Sequence, residues 1–413
     1  MGTSAWIECE LADVCSSIDY GYTAAASDDS QGAQFLRITD IVQPQLVWDT
    51  VPHVEANEVT LSKYRLDDGD IVLARTGAST GASAYIQNPP EAIFASYLVR
   101  LKIKPTFDPR FVSYYLKSDT FWSYIRGVLG DKSAQPNASA STMVRAPFRA
   151  PRDIAEQRQI SGILGALDDK IELNRRMSQT LESMARALFK SWFVDFDPVH
   201  AKSEGRDLDE SAHVSVASVG DLMEVNPPRS LPKGQVAPYL DMANVSTSGQ
   251  TPSGIVPRPF SSGSRFVNGD TLVARITPCL ENGKAAYVDF LDNGQIGWGS
   301  TEFVVLRPKA PLPSEFAYCL VRDEAFRDFA IQRMSGTSGR QRVPTNALAD
   351  FVVGAPSPDV ARAFGGYANP LLARARAADV ESGLLARLRD ALLPRLLSGD
   401  LQAGSILGDG APR

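Results

Sequence analysis

Four loop segments carry side chains suited to the edges of nucleic-acid bases. The first, residues 75–81, holds Arg75, Thr76, Ser79 and Thr80 between glycines, and the second, residues 131–137, holds Lys132, Ser133, Gln135 and Asn137. Two more lie about 200 residues further on: residues 275–284 with Arg275, Thr277 and Lys284, and residues 336–342 with Ser338, Arg340, Gln341 and Arg342. A guanidinium reads guanine with two parallel hydrogen bonds, a carboxamide reads adenine, and hydroxyls reach phosphates or bases. Gly, Ser and Asn also belong in ordinary solvated turns. The loops alone leave both readings open.

Other chemistry is mostly excluded by missing partners. Asn88-Pro89-Pro90-Glu91 and Asn226-Pro227-Pro228-Arg229 resemble the motif of amino-group DNA methyltransferases, but their fourth residues are Glu and Arg. That position needs an aromatic ring to stack on a flipped base. The 77–81 loop lacks the Gly-Lys-Ser/Thr ending of a phosphate loop. His53, His200 and His213 stand in no nucleophile context, and Cys9, Cys15, Cys279 and Cys319 lack zinc-ligand spacing. No catalytic residue, metal ligand or cofactor is expected. Two other classes compete with DNA reading: a stand-alone DNA methyltransferase or nuclease, and a coiled-coil adaptor without DNA recognition.

Composition frames these choices. The 413 residues are 44% hydrophobic and 22% charged, which is globular. Without a signal-like start or a membrane-length apolar run, a soluble cytoplasmic protein with no membrane contact is expected. The net charge is −6, and residues 1–150 carry 13 basic against 17 acidic side chains. No segment is a basic domain, so DNA binding would need local patches or a partner that supplies phosphate contacts.

The elements that position the loops form a repeat. Gly69-Asp70 and Ala74-Arg75 recur as Gly269-Asp270 and Ala274-Arg275, 200 residues later. Phe111, Lys117 and Phe121 fall opposite Phe316, Arg322 and Phe326, and Ala150-Pro151 opposite Ala355-Pro356, at an offset of 205. Short β-forming runs follow each Gly-Asp at 71–73, 84–86 and 97–101, and at 271–273, 285–288 and 302–306. One short helix is expected over 110–126 and its twin over 315–333. The class is α+β.

A long helix follows each globular part. The first starts with Asp153 as cap and Glu156 three residues on, runs to about Phe193, and carries Ile160, Leu164, Leu167, Ile171, Asn174, Leu181 and Leu188 on one seam. The second starts at Ser357-Pro358, with Val360, Phe364, Tyr367, Leu371, Ala378, Leu385, Leu388 and Leu392 as its seam, and Pro394 is expected to kink or end it. Helices this long with such seams are expected to pair with each other. The division expected is 1–150, 151–212, 213–356 and 357–413.

Together these features resemble the specificity (S) subunit of type I restriction–modification enzymes. The motifs that carry the resemblance are residues 69–77 and Glu156-Gln157-Arg158-Gln159-Ile160. Residues 188–198, Leu-Phe-Lys-Ser-Trp-Phe-Val-Asp-Phe-Asp-Pro, and 392–401, Leu-Leu-Pro-Arg-Leu-Leu-Ser-Gly-Asp-Leu, complete them. The resemblance implies two target-recognition domains, each reading one half of a split site in double-stranded DNA. It also implies an antiparallel coiled coil that sets their separation and docks two methyltransferase subunits, with a restriction/translocase subunit as a further partner. The second half departs from the pattern, with Asp359-Val360-Ala361-Arg362 at its helix start and Ile276-Thr277 where the first half has Thr76-Gly77. Trp192, Phe193 and Phe196 are either a docking surface or packing against the second domain.

Overall fold

The computed structural model describes residues 6–27, 32–42, 46–130, 137–196, 215–337 and 339–407. They form two compact units, one of residues 1–169 with 385–413 and one of residues 170–384.

The first unit is built on a four-stranded antiparallel sheet in the order Cys15–Tyr20, Leu98–Ile103, Ile71–Ala74, Ser83–Tyr85. Alternate residues of its central strands point to opposite faces. Ile71, Leu73, Val99 and Leu101 face a core with Phe111, Phe121, Phe148 and Ile160, while Val72, Ala74 and Leu98 face a second core with Leu36 and Phe94. Both faces are covered, so these runs read as continuously apolar.

The second unit repeats this plan in the order Met223–Val225, Phe303–Pro308, Thr271–Ala274, Ala285–Tyr287. Its register matches the sequence repeat: Ile71 pairs with Leu101 and Leu73 with Val99, as Thr271 pairs with Leu306 and Val273 with Val304. The repeated Gly-Asp is a turn device. Gly69 and Gly269 sit at φ 88° and 87°, where a side chain is strained. The Asp70 and Asp270 carboxylates accept from the N–H of Asp67 and Val267 at 2.9 and 2.8 Å.

Each expected short helix is two. Pro109–Tyr115 and Asp119–Leu129 are separated by Ser118, which caps the second by accepting from the Phe121 N–H, and Asp323 caps Glu324–Gln332 after Ser314–Val321. A capping side chain restarts a helix, and the apolar spacing masks the break.

The central helix, Ile154–Phe193, has 40 residues, roughly 60 Å at 1.5 Å each. Asp153 accepts from the Ala155 N–H at 2.9 Å at its start. The C-terminal helix, Pro358–Ser398, runs on through Pro394 and stops before Gly399, at φ 81°. Leu396 is buried in the first unit's core two residues past the proline, which holds the last turn in place.

The two helices pair antiparallel within each unit. Arg389 donates to Asp168 at 2.7 Å in the first, and Asn174 donates to Glu381 at 2.8 Å in the second. The C-terminal seam differs from the expected one. Beside the expected Phe364 and Ala378, the alanines Ala361, Ala368 and Ala375 are fully buried, whereas Tyr367 and Leu388 are exposed and Val360 and Leu371 only half-buried. Three of these alanines recur every seven residues. Small side chains let two helices approach closely, and a search for large apolar residues passes over them.

Asp289 in the second unit lies 3.3 Å from Arg376 of the C-terminal helix, yet burial outweighs that guanidinium and pushes its carboxyl up to about 6. A raised acid favours its neutral form in the folded chain. Its stabilisation is full below an unfolded value near 3.8 and is lost as pH climbs to about 6. The difference amounts to about 3 kcal/mol at 1.36 kcal/mol per pH unit. D289N is therefore expected to be more stable than the natural chain at pH 8 and equal to it near pH 4. Denaturant midpoints at the two pH values check this; an equal offset at both would discard it.

Candidate nucleic-acid interface

In the first unit the loop after Ile71–Ala74 folds onto itself. Thr80 donates to the Gly77 carbonyl at 2.8 Å, the Gly81 N–H donates to Ala74, and Thr80 is buried. Thr80 is thus a turn lock, not an exposed base or phosphate contact, because its hydroxyl is spent inside the loop. Thr76 bridges to Asn137, and the Ala138 N–H donates to the Arg75 carbonyl at 3.0 Å. The fold therefore brings Arg75, Thr76 and Asn137 together, with Ser79 half-buried in the same loop. Lys132, Ser133 and Gln135 lie outside the described residues.

The second unit copies this frame at the same offsets. Ile276 bridges to Arg342, the Val343 N–H donates to the Arg275 carbonyl at 2.9 Å, and the Thr277 N–H donates to Gln341 at 3.0 Å. Arg340 is exposed, Gln341 is half-buried, and Ser338 lies outside the described residues. Lys284 is turned inward: its ammonium donates to the Met242 carbonyl at 2.8 Å, tying down a neighbouring loop. The Thr277 hydroxyl is buried. Neither presents its polar head to a duplex as expected.

The frames match, but the side chains do not. The N–H of Arg75 donates to Tyr97 and that of Arg275 to Glu302, both at 3.0 Å, so Tyr97 and Glu302 occupy equivalent places. Arg75 stacks its guanidinium over Tyr20, 5.0 Å from the ring centroid. Tyr20 and Tyr97 are 46% and 60% exposed, so this unit presents a half-buried arginine stacked on one open aromatic ring, with a second open ring on the residue its backbone pairs with. In the second unit Arg275 and Arg342 both grip Glu302, at 3.1 and 2.8 Å. Arg342 first, then Arg275, hold that carboxyl below the usual carboxylate range. Sequence reasoning missed Tyr20, Tyr97 and Glu302. Extending the 205-residue offset back past Phe111 would have paired Tyr97 with Glu302.

The aromatic residues at the end of the central helix divide. Phe193 is buried against Phe316 and Phe364, with ring centroids 5.0 and 5.1 Å away. It is core, and the expectation that it docks a partner is corrected. Trp192 is half-buried against Phe364 and Tyr367, and Phe196 is half-buried at φ 58°. Val380 and Leu384 instead lie exposed at four-residue spacing on the C-terminal helix within the second unit, and Leu388 is exposed within the first. Among the described residues no cluster could hold a metal ion, and no helix is long and apolar enough to cross a membrane.

Residues 4–183 match the model of the type I restriction modification DNA specificity domain. The likeness to type I specificity subunits extends past those residues. Along 96% of its length it is 23% identical to the type I restriction enzyme HindI specificity subunit of Haemophilus influenzae, covering all of that protein. It is also 23% identical to the MjaIX specificity subunit of Methanocaldococcus jannaschii, over 71% of this chain and 69% of that one. The S subunit from M. genitalium shares the fold, with a TM-score of 0.60 at 15% identity over 96% of this chain and 97% of that one. The matched residues lie in the first half of the chain. The common strand register extends the same architecture to the second.

Proposed function

We propose that this chain is a type I specificity subunit that reads a split site in double-stranded DNA, one half-site per unit, and docks two methyltransferase subunits without catalysing a reaction itself. What supports this reading is a pair of platforms with one backbone frame and different side chains, an Arg75 stacked on Tyr20 in one and a carboxylate-tied arginine pair in the other. Two readers of different sequences need a shared scaffold and divergent contacts. An adaptor would have no use for that divergence, and the sequence carries no adenosylmethionine loop for a methyltransferase. The acidic balance fits a reader whose partners enclose the duplex and supply phosphate contacts. The exposed Val380 and Leu384 of the second unit, and separately its half-buried Trp192 and Phe196, are the residues proposed to meet the methyltransferase subunits. A restriction subunit joins the same assembly, which works on DNA in the cytoplasm.

Methylation-sensitive sequencing of cells carrying this chain and its partner methyltransferase tests the reading. Replacing Gln135 and Asn137 by alanine is expected to relax one half-site only, and replacing Arg340 and Arg342 the other. Each lost bidentate contact costs about 1–3 kcal/mol. Equal loss at both half-sites, or weaker binding with unchanged preference, would reject it.

A further inference from the structure

We infer that Glu302 is a specificity-determining positioning residue that presents Arg342 to a guanine in the half-site read by the second unit. The inference rests on the reading proposed above. Glu302 takes the Nε and one terminal nitrogen of Arg342, with Nε at 3.0 Å from both carboxylate oxygens and Nη2 at 2.8 Å from one. That is the side-on edge of the guanidinium. The end-on edge, formed by the two terminal nitrogens, meets no further acceptor among the described residues, and Arg342 is exposed. A guanine offers O6 and N7 as two adjacent acceptors in the major groove, which match such an edge.

The rest of the cluster fixes the carboxylate. Glu302 also accepts from Arg275 Nε at 3.1 Å, and its own N–H donates to the Ser300 hydroxyl at 3.1 Å. Arg275 reaches Thr345 through another nitrogen at 3.4 Å. Arg275 thereby serves as a strut, half-buried, while Arg342 is the outward member. A long side chain held in one geometry before binding loses less rotamer freedom on binding, and that gain applies only to the base that fits. The first unit lacks this device, since Tyr97 stands where the carboxylate would be. It follows that the two half-sites are read by different means at equivalent positions.

The experiment uses the full assembly with its methyltransferase and compares the methylated motif for the natural chain, R342A, E302A and E302Q. R342A is expected to lower discrimination for one guanine by about 5- to 150-fold, the range for a lost bidentate contact. E302Q keeps the size of the side chain but loses the ionic two-point grip. It is expected to relax the same guanine at least about fivefold while the other half-site stays sharp. The other half-site serves as the internal control for folding, and E302Q carries the test should E302A fail to fold. If R342A relaxes a guanine and E302Q leaves it sharp, the positioning role is wrong and the reading of DNA by this loop stands. If R342A together with R340A changes no base preference, the underlying reading fails instead. Relaxation at a base pair without guanine would also overturn the inference.

Discussion

Inserting one heptad into both long helices is expected to move the two methylated half-sites about 3 base pairs further apart. The insertion points are between Ile171 and Glu172 and between Leu384 and Leu385. The Asp168–Arg389 and Asn174–Glu381 pairs bracket both points, so the inserts face each other in the antiparallel pairing. Seven residues preserve the seven-residue seam and lengthen each helix by roughly 10.5 Å at 1.5 Å per residue. At 3.4 Å per base pair this is about 3 base pairs of added spacer. The duplex also turns over that distance, about a third of a turn at 10–10.5 base pairs per turn, so reduced affinity accompanies the new spacing. The same insertion in one helix alone shifts the seam. It would separate Asn174 from Glu381 and leave the buried Asn174 carboxamide without that partner, at about 1–3 kcal/mol. The readout is the methylated motif in cells carrying each variant. A double-insertion variant that is active on the original spacing would show that the helices are not the ruler.

Arg322→Ala is expected to be the most damaging single substitution in the second unit, at about 3–5 kcal/mol, the usual cost of removing one partner from a buried charged network. Arg322 is buried and donates to four carbonyls: Thr247 at 2.8 Å, Gly283 at 2.7 Å, Ala285 at 2.9 Å, and Gly249. Its Nε donates to the Tyr318 hydroxyl at 3.2 Å, which in turn donates to Glu182 of the central helix at 2.6 Å. One side chain therefore pins two loops to the sheet and the central helix. Arg322→Lys retains the charge but replaces a five-donor fork with a single ammonium, so about half the loss is expected. Denaturant unfolding of the full chain measures both. A cost below about 1 kcal/mol for the alanine variant would mean that water replaces the guanidinium at those carbonyls. Lys117, the repeat-related residue in the first unit, has Asp168 at 3.9 Å as its one ion partner among the described residues. Its removal should cost far less.

That contrast shows where local spacing stops being informative. The repeat was legible because a turn, a strand and a helix start are each encoded over a few adjacent residues. Gly69-Asp70 and Gly269-Asp270 make the same turn, Asp153 and Ser357 start the same helices, and the β-forming runs lie within a residue or two of their strands. Periodicity also sufficed to show that the long helices must pair, since a seam over 40 residues has to be covered. Which residues fill the seam was not legible. Burial on a paired helix depends on how closely the partner approaches, and the alanines of the C-terminal helix are decided by that approach.

The site divides along the same line. Sequence offsets brought the right loops together, because equivalent backbone positions in a duplicated fold meet equivalent neighbours. They could not say which side chains remain available to a duplex. Thr80 and Lys284 spend their polar heads on nearby carbonyls, Phe193 joins a core, and Glu302, 27 residues beyond Arg275, gathers two arginines. Type and spacing along the chain determined the architecture and the loops. Only the tertiary structure decided which charges are spent and which are presented, because electrostatic partners are chosen by distance in space, over segments that the chain keeps far apart.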